Sequence, residues 1–316
     1  MQKWERETAP FCVFGLIFII IYYLIYRQVT KTMNVQWYPG HMAKTRRMIA
    51  ENLKLVDVVA EIVDARIPIS SRNPDIDELV GSKPRIIILN RADQADPAGN
   101  KAWSAYFKAK GWAVLETDAN SGKGVSQFSP AVRALLKDQI AAWAAKGQVG
   151  RKVRAMVVGV PNVGKSTFIN KVAKRKSAIA QNRPGVTRGK QWVAVDSGME
   201  LLDTPGILWP KFEDQSIGLN LAYTGAVKDD IMDIEELASS LMALLAAHYP
   251  EAIQTRYKIE LPEGAQGWEL LEAAGRKRGF LISGGEVNLE RMSRVLLEEY
   301  RSCKLGRFTL ERPKEA

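Results

Sequence analysis

The chain has 316 residues, enough for one large domain or two modest ones, and its 46% apolar and 25% charged content excludes a disordered or fibrous chain. The formal charge of +10 is unevenly placed: residues 137–190 hold 13 Lys or Arg against the single acid Asp138, a net of +12. Such a field suits a polyanion, the alternative being a basic face kept for solubility. Two cysteines, Cys12 and Cys303, cannot build a disulfide framework, so a reducing cytoplasm is the expected compartment.

Residues 11–26, FCVFGLIFIIIYYLIY, carry no charge. As a helix they would span about 24 Å, short of a hydrocarbon core of about 30 Å. Three readings compete for this run. It is an uncleaved membrane anchor with interfacial tyrosines, a secretory signal, or an over-extended start preceding Met33. No small-residue cleavage site follows it, and Met33 opens a segment that reads as a natural beginning; the over-extended start is therefore preferred to the anchor. Either way, residues 1–32 stand apart from the fold.

From Met33 a Trp37-Tyr38-Pro39-Gly40 turn leads into helical spacing over residues 41–55. Apolar runs at 56–63, 85–89 and 112–116 predict buried strands, with helices at 103–110 and 125–145 and a loop at 68–74. Strands alternating with helices predict a parallel α/β sheet, whose ligands sit beyond the carboxyl ends of the strands. Each motif in this chain follows a strand.

The second run ends in Asn90-Arg91-Ala92-Asp93, which matches the Asn-Lys-x-Asp guanine motif with Arg for Lys. A carboxylate at Asp93 can accept from guanine N1–H and N2–H₂ together, whereas adenine N1 would meet it with a lone pair. A site built around such a bond can reject the wrong base by about 10⁴. Asn90 can donate to the base or tie neighbouring loops together, and the Arg91 stem can pack near the base. In residues 117–124, TDANSGKG, the second base-contacting loop is blurred, and Ala119 is its best placement.

A fourth strand at 155–158 runs into Gly159-Val160-Pro161-Asn162-Val163-Gly164-Lys165-Ser166-Thr167, a full phosphate-loop match. Its glycines let the amides of Asn162, Val163, Gly164, Lys165, Ser166 and Thr167 wrap phosphates at a helix N-terminus. Lys165 would reach the outer phosphates and Ser166 would hold Mg²⁺. A threonine in the loop that follows, Thr187, can ligate Mg²⁺ only while a γ-phosphate is present, which makes it a switch. Strands at 192–195 and 200–202 then reach Asp203-Thr204-Pro205-Gly206. Asp203 would hold Mg²⁺ through water, and the Gly206 amide would sense the γ-phosphate. Ile207 stands where Ras-like GTPases place a water-orienting glutamine, so intrinsic hydrolysis is expected to be slow. Asn162 occupies the place of the asparagine that helps hold K⁺ in potassium-stimulated GTPases, the alternative being a turn-forming residue.

Beyond residue 213 the chain reads as a connection to about 223, then helices at 226–249, 267–278 and 289–301. Residues 268–316 carry 10 basic and 8 acidic groups, so local patches rather than a polycation would do any binding.

The guanine motif precedes the phosphate loop, which reverses the conventional order and implies a circular permutation. This order, with WYPGHMAKTRR at 37–47, DARIPISSRNP at 64–74, GVPNVGKST and DTPGI, resembles the circularly permuted bacterial ribosome biogenesis GTPase A family from residue 33 to about 310. The resemblance implies an α/β fold: a circularly permuted P-loop GTPase domain, mostly parallel and flanked by helices, at 33–213. A linker and smaller all-α RNA-contacting domain would occupy 214–316. It implies a GTPase that binds the maturing large ribosomal subunit and its rRNA late in assembly and leaves after hydrolysis to GDP. It also implies a catalytic role for His41, the alternative being a helix-capping or RNA-contacting histidine. Two further readings stay open: a nucleotide-gated RNA-binding module with incidental hydrolysis, and a membrane-tethered GTPase if 11–26 is an anchor.

Overall fold

Runs of Val and Ile with polar residues only at their ends bury best where a sheet is covered on both faces. The computed structural model describes residues 42–174, 191–204, 214–227 and 232–313, and these runs form its centre. β1 (Val58–Asp64) and β2 (Arg85–Asn90) are buried along their whole length. With β3 (Ala113–Thr117), β4 (Val153–Val158), β5 (Gln191–Asp196) and β6 (Met199–Asp203) they form one six-stranded sheet in the order β3-β2-β1-β4-β6-β5. Every pairing is parallel except β5 with β6. The registers Asp64↔Asn90, Asn90↔Thr117 and Val157↔Asp203 bring the motif-bearing strand ends to one edge.

On one face, Ile49 and Leu53 of α1 (Met42–Leu53) pack on Val59, Met156, Val158 and Leu202. Trp103 and Phe107 of α3 (Pro97–Ala109) cover Val63, Ile87 and Leu89. The opposite face rests on α4 (Phe128–Leu135) and α6 (Lys165–Val172), where Phe128 and Phe168 meet edge to face at 5.3 Å. The same apolar cluster runs on into α7 (Gln215–Tyr223), α8 (Ile234–His248), α10 (Gly267–Lys277) and α11 (Leu289–Arg301). α9 (Pro250–Tyr257) joins it through Ile253 and Tyr257.

Several elements differ from the sequence expectation, each for a local reason. The expected connection to about 223 is instead α7, which Asp214 caps by accepting from Ser216 N at 2.9 Å. A short α2 (Asp75–Val80) follows the 68–74 loop, with three acids in its first turn. α3 starts earlier than expected, at Pro97 behind the Asp96 cap. The helix expected over 125–145 is a 3₁₀ turn (Val125–Gln127), α4 and α5 (Lys137–Ala145), broken at Leu136 with φ −100°. The apolar run 11–26, His41, Thr187, Gly206 and Ile207 lie outside the described residues.

Candidate active site

The phosphate loop leaves β4 through two glycines that only glycine fits. Gly159 has φ +154°, and a Cβ there would lie 2.5 Å from Ile62 O. Gly164 has φ +96°, and a Cβ would run into the Asn90 side-chain amide. α6 begins immediately after, so Ser166 and Thr167 sit in its first turn with the positive end of the dipole toward the loop. Ser166 is exposed and Thr167 half-buried, while Val163 is buried.

Lys165 is buried, and its Nζ donates to Gly159 O at 3.0 Å and Val160 O at 2.7 Å. Burial lowers its pKa to about 8, against which the neighbouring Asp203 carboxylate pulls upward. Two backbone carbonyls thus hold the ammonium inside the loop that phosphates would fill. Asp203 closes β6 beside β4, and Thr204 Oγ1 donates to Val157 O at 2.6 Å, fixing that end. Ser166 and Asp203 therefore offer hard oxygen donors from adjoining segments, a set that fits Mg²⁺.

Asn90 is the joint of the site. Its Nδ2 donates to Val163 O at 2.8 Å, and its Oδ1 accepts from Ala119 N at 3.1 Å and Thr117 Oγ1 at 3.2 Å. One buried amide thus ties the guanine motif, the phosphate loop and the second base loop together. Of the two roles open to Asn90 from sequence, the loop-tying one is present. Ala119 is buried, with its amide spent on Asn90. Arg91 takes left-handed backbone, φ 59°, and turns its guanidinium to Asn162 O at 2.9 Å and toward Asp64 at 3.7 Å. Asn162, also left-handed at φ 60°, points its side-chain amide at Gly225 O and Ala226 O, 3.3 and 3.4 Å away. Asp93 remains exposed. Partial burial and then the Asp118 carboxylate raise its pKa above the ordinary carboxylate value, with Arg307 and Arg91 pulling it down.

Sequence reasoning missed the layer behind these residues. Asp64, at the end of β1, holds Arg66 in a bidentate pair of 2.9 and 2.7 Å, and accepts from the Arg66 amide at 3.0 Å. Its own amide is taken by Ser71 Oγ at 2.9 Å. The available signal was an acid ending a strand, with Arg two positions on, in Asp64-Ala65-Arg66. The basic segment is also less bare than its count of charges. Arg151 pairs with Asp57 at 2.9 Å, and Lys152 and Arg154 share Glu200 at 2.7 and 3.5 Å. Arg175, Lys176, Arg183, Arg188 and Lys190 lie outside the described residues.

The chain is similar to several known proteins along most of its length. The family model described as "50S ribosome-binding GTPase" matches residues 154–259. A protein of Bacillus cereus named "Ribosome biogenesis GTPase A" is 50% identical over 284 residues, covering 90% of this chain and 95% of that protein. The Thermotoga maritima protein of the same name is 31% identical, covering 89% and 95%. The mouse "Mitochondrial ribosome-associated GTPase 1" is 34% identical, covering 88% and 90%. Among solved structures, GNP-bound YlqF from T. maritima superposes with a TM-score of 0.59 at 30% identity, covering 86% of this chain and all of that one.

Proposed function

Because the chain belongs to the ribosome biogenesis GTPase A family, we propose that this GTPase binds the large ribosomal subunit and its rRNA late in assembly and leaves after hydrolysing GTP to GDP and phosphate. The observation that carries the reading is the single buried amide of Asn90, which fastens a guanine motif to a phosphate loop and to the second base loop. In that frame Asp93 accepts from guanine N1–H and N2–H₂. The amides of residues 162–167 take the phosphates, with the Lys165 ammonium released from its carbonyl partners toward the outer ones. Mg²⁺, held by Ser166, Asp203 and Thr187, would neutralise charge on the β- and γ-phosphates. The Gly206 amide senses the γ-phosphate. His41 supplies the water-positioning function that Ile207 cannot, and Asn162 serves K⁺ once its side chain leaves Gly225 and Ala226. The nucleotide domain comprises 33–213 and the RNA-contacting part 214–316, in a cytoplasmic, ribosome-associated protein.

Sedimentation with ribosomal particles tests the proposal. The chain is expected to travel with large subunits in a GTP analogue and to separate from them in GDP; identical behaviour in both would overturn it. Large subunits should also raise turnover in K⁺ buffer, and equal rates with and without them would favour the RNA-binding module with incidental hydrolysis. Asp93→Asn is expected to move preference from GTP to xanthosine triphosphate, because the 2-oxo group suits an amide donor. Unchanged GTP preference would refute the guanine role of Asp93. Among the described residues no helix is long and apolar enough to cross a membrane, and the run 11–26 lies outside them. A native N-terminal peptide beginning at Met33 would exclude the tether.

A further inference from the structure

The guanine-reading loop is held from the sheet side by Ala92 N donating to Thr117 O at 3.1 Å and by Asn90. Its outer side is held by residues more than two hundred positions later. Phe308 N donates to Gln94 O at 3.2 Å, and Thr309 Oγ1 accepts from Asp96 N at 3.2 Å. Arg312 pairs with Asp96 at 3.0 Å. Asp93 lies between these anchored positions. The contact at Thr309 is close: a Cβ on Gly99, in the first turn of α3, would lie 2.6 Å from Thr309 Oγ1.

The same tail is seated in two other places. Phe308 packs against Tyr249 and Tyr300 at ring distances of 4.8 and 6.1 Å. The Tyr249 hydroxyl accepts from Thr309 N at 3.1 Å and donates to Thr309 O at 2.9 Å. Leu310 N donates to Arg66 O at 2.8 Å. The Glu311 carboxylate accepts from Ile69 N at 2.6 Å, Ser70 N at 2.9 Å and Asn220 Nδ2 at 3.2 Å, and also from the Ser70 hydroxyl. Trp103 Nε1 donates to Glu311 O at 3.1 Å. A carboxylate with this many donors is an anchor, since its loss would take an acceptor from the buried Ser70 and Asn220 side chains.

We propose that residues 305–312 form a strap that positions the guanine-reading loop, with Thr309 and Glu311 as positioning residues for Asp93. The strap rests on the reading of Asp93 given above and goes beyond it, because it makes base selection depend on the far end of the chain. Docking of the strap on the helices and occupancy of the base site must then favour each other equally.

The test compares GDP with inosine diphosphate, which lacks only the exocyclic amine that a well-placed Asp93 accepts from. Thr309→Val keeps the shape and removes the acceptor for Asp96 N. It should lower the GDP-over-inosine-diphosphate affinity ratio about fivefold to tenfold, the size of one lost hydrogen bond. Thr309→Ser should restore the ratio. Glu311→Gln, of the same size, gives an independent reading from the other anchor and should lower the ratio in the same direction. General damage would weaken both nucleotides in parallel. A parallel loss, or an unchanged ratio in either folded variant, overturns the strap. If the ratio holds while Asp93→Asn still turns preference to xanthosine, the strap fails and the guanine reading stands; if Asp93→Asn changes nothing, the underlying reading has failed first.

Discussion

At the residue scale, Lys165 combines two requirements that conflict without a ligand. In the proposed role the ammonium reaches phosphates from inside a loop, yet that position is buried, and burial lowers its pKa to about 8. Between that value and the ordinary 10.5 the unfolded chain holds the proton while the folded chain does not. The nucleotide-free protein therefore gains stability from this lysine as pH rises through that window, and none is added below it. Bound phosphates restore the charge, so nucleotide binding should draw in a proton. Calorimetry in buffers of different ionisation enthalpy is expected to show a net proton uptake that grows between pH 7 and pH 8.5. Uptake that does not rise with pH would contradict this placement of the ammonium.

At the element scale, β1 carries a charge where a buried strand would ordinarily have none. Glu61 is buried and accepts from Arg72 at 3.0 and 3.1 Å, while Arg72 reaches Asp77 at 2.6 Å. Arg85 joins at 3.4 Å from Glu61, and both guanidiniums stack on Trp112, at 4.8 and 4.5 Å from its ring. The network fastens the 64–74 loop, and with it the Glu311 anchor, to the middle of the sheet. Replacing Glu61 leaves the buried Arg72 and Arg85 guanidiniums with only the half-exposed Asp77 as an ionic partner, and breaking a buried pair in this way costs about 3–5 kcal/mol. Urea denaturation of Glu61→Gln should show a loss of that order. A loss below about 1 kcal/mol would mean that water reaches the network. The alternation of strand and helix was legible here from apolar runs and turn residues. The cap at Asp214 and the break at Leu136 were not, because each depends on one residue's contacts or dihedral rather than on periodicity.

At the scale of the whole molecule, the apolar cluster beneath the sheet continues without interruption into α7, α8, α10 and α11. Arg301 adds polar ties, donating to Tyr223 O at 3.0 Å and Ala222 O at 2.7 Å. We therefore expect the proposed nucleotide domain, 33–213, and the part after it, 214–316, to unfold together. A single calorimetric transition, with calorimetric and van't Hoff enthalpies equal, is the expected outcome. Two resolved transitions would mean that the shared core contributes little. The Asn162 side chain adds a polar tie between the phosphate loop and the chain after α7, at Gly225 O and Ala226 O.

The residue types at 90–93 and 159–167, in strand-ending positions and reversed order, are enough by themselves to specify a permuted guanine-nucleotide fold, because phosphate and base chemistry admit few substitutes. Which partner each side chain takes was decided only by tertiary structure. Asn90 could have faced the base or the loops, and the parallel register of β1, β2 and β3 turned it to the loops. Lys165 reads as a phosphate ligand, but only the enclosed geometry gives it a pKa of about 8. The tie between Thr309 and Asp96 has no trace in the sequence. It joins residues 213 positions apart, and no local pattern encodes a contact made by packing alone.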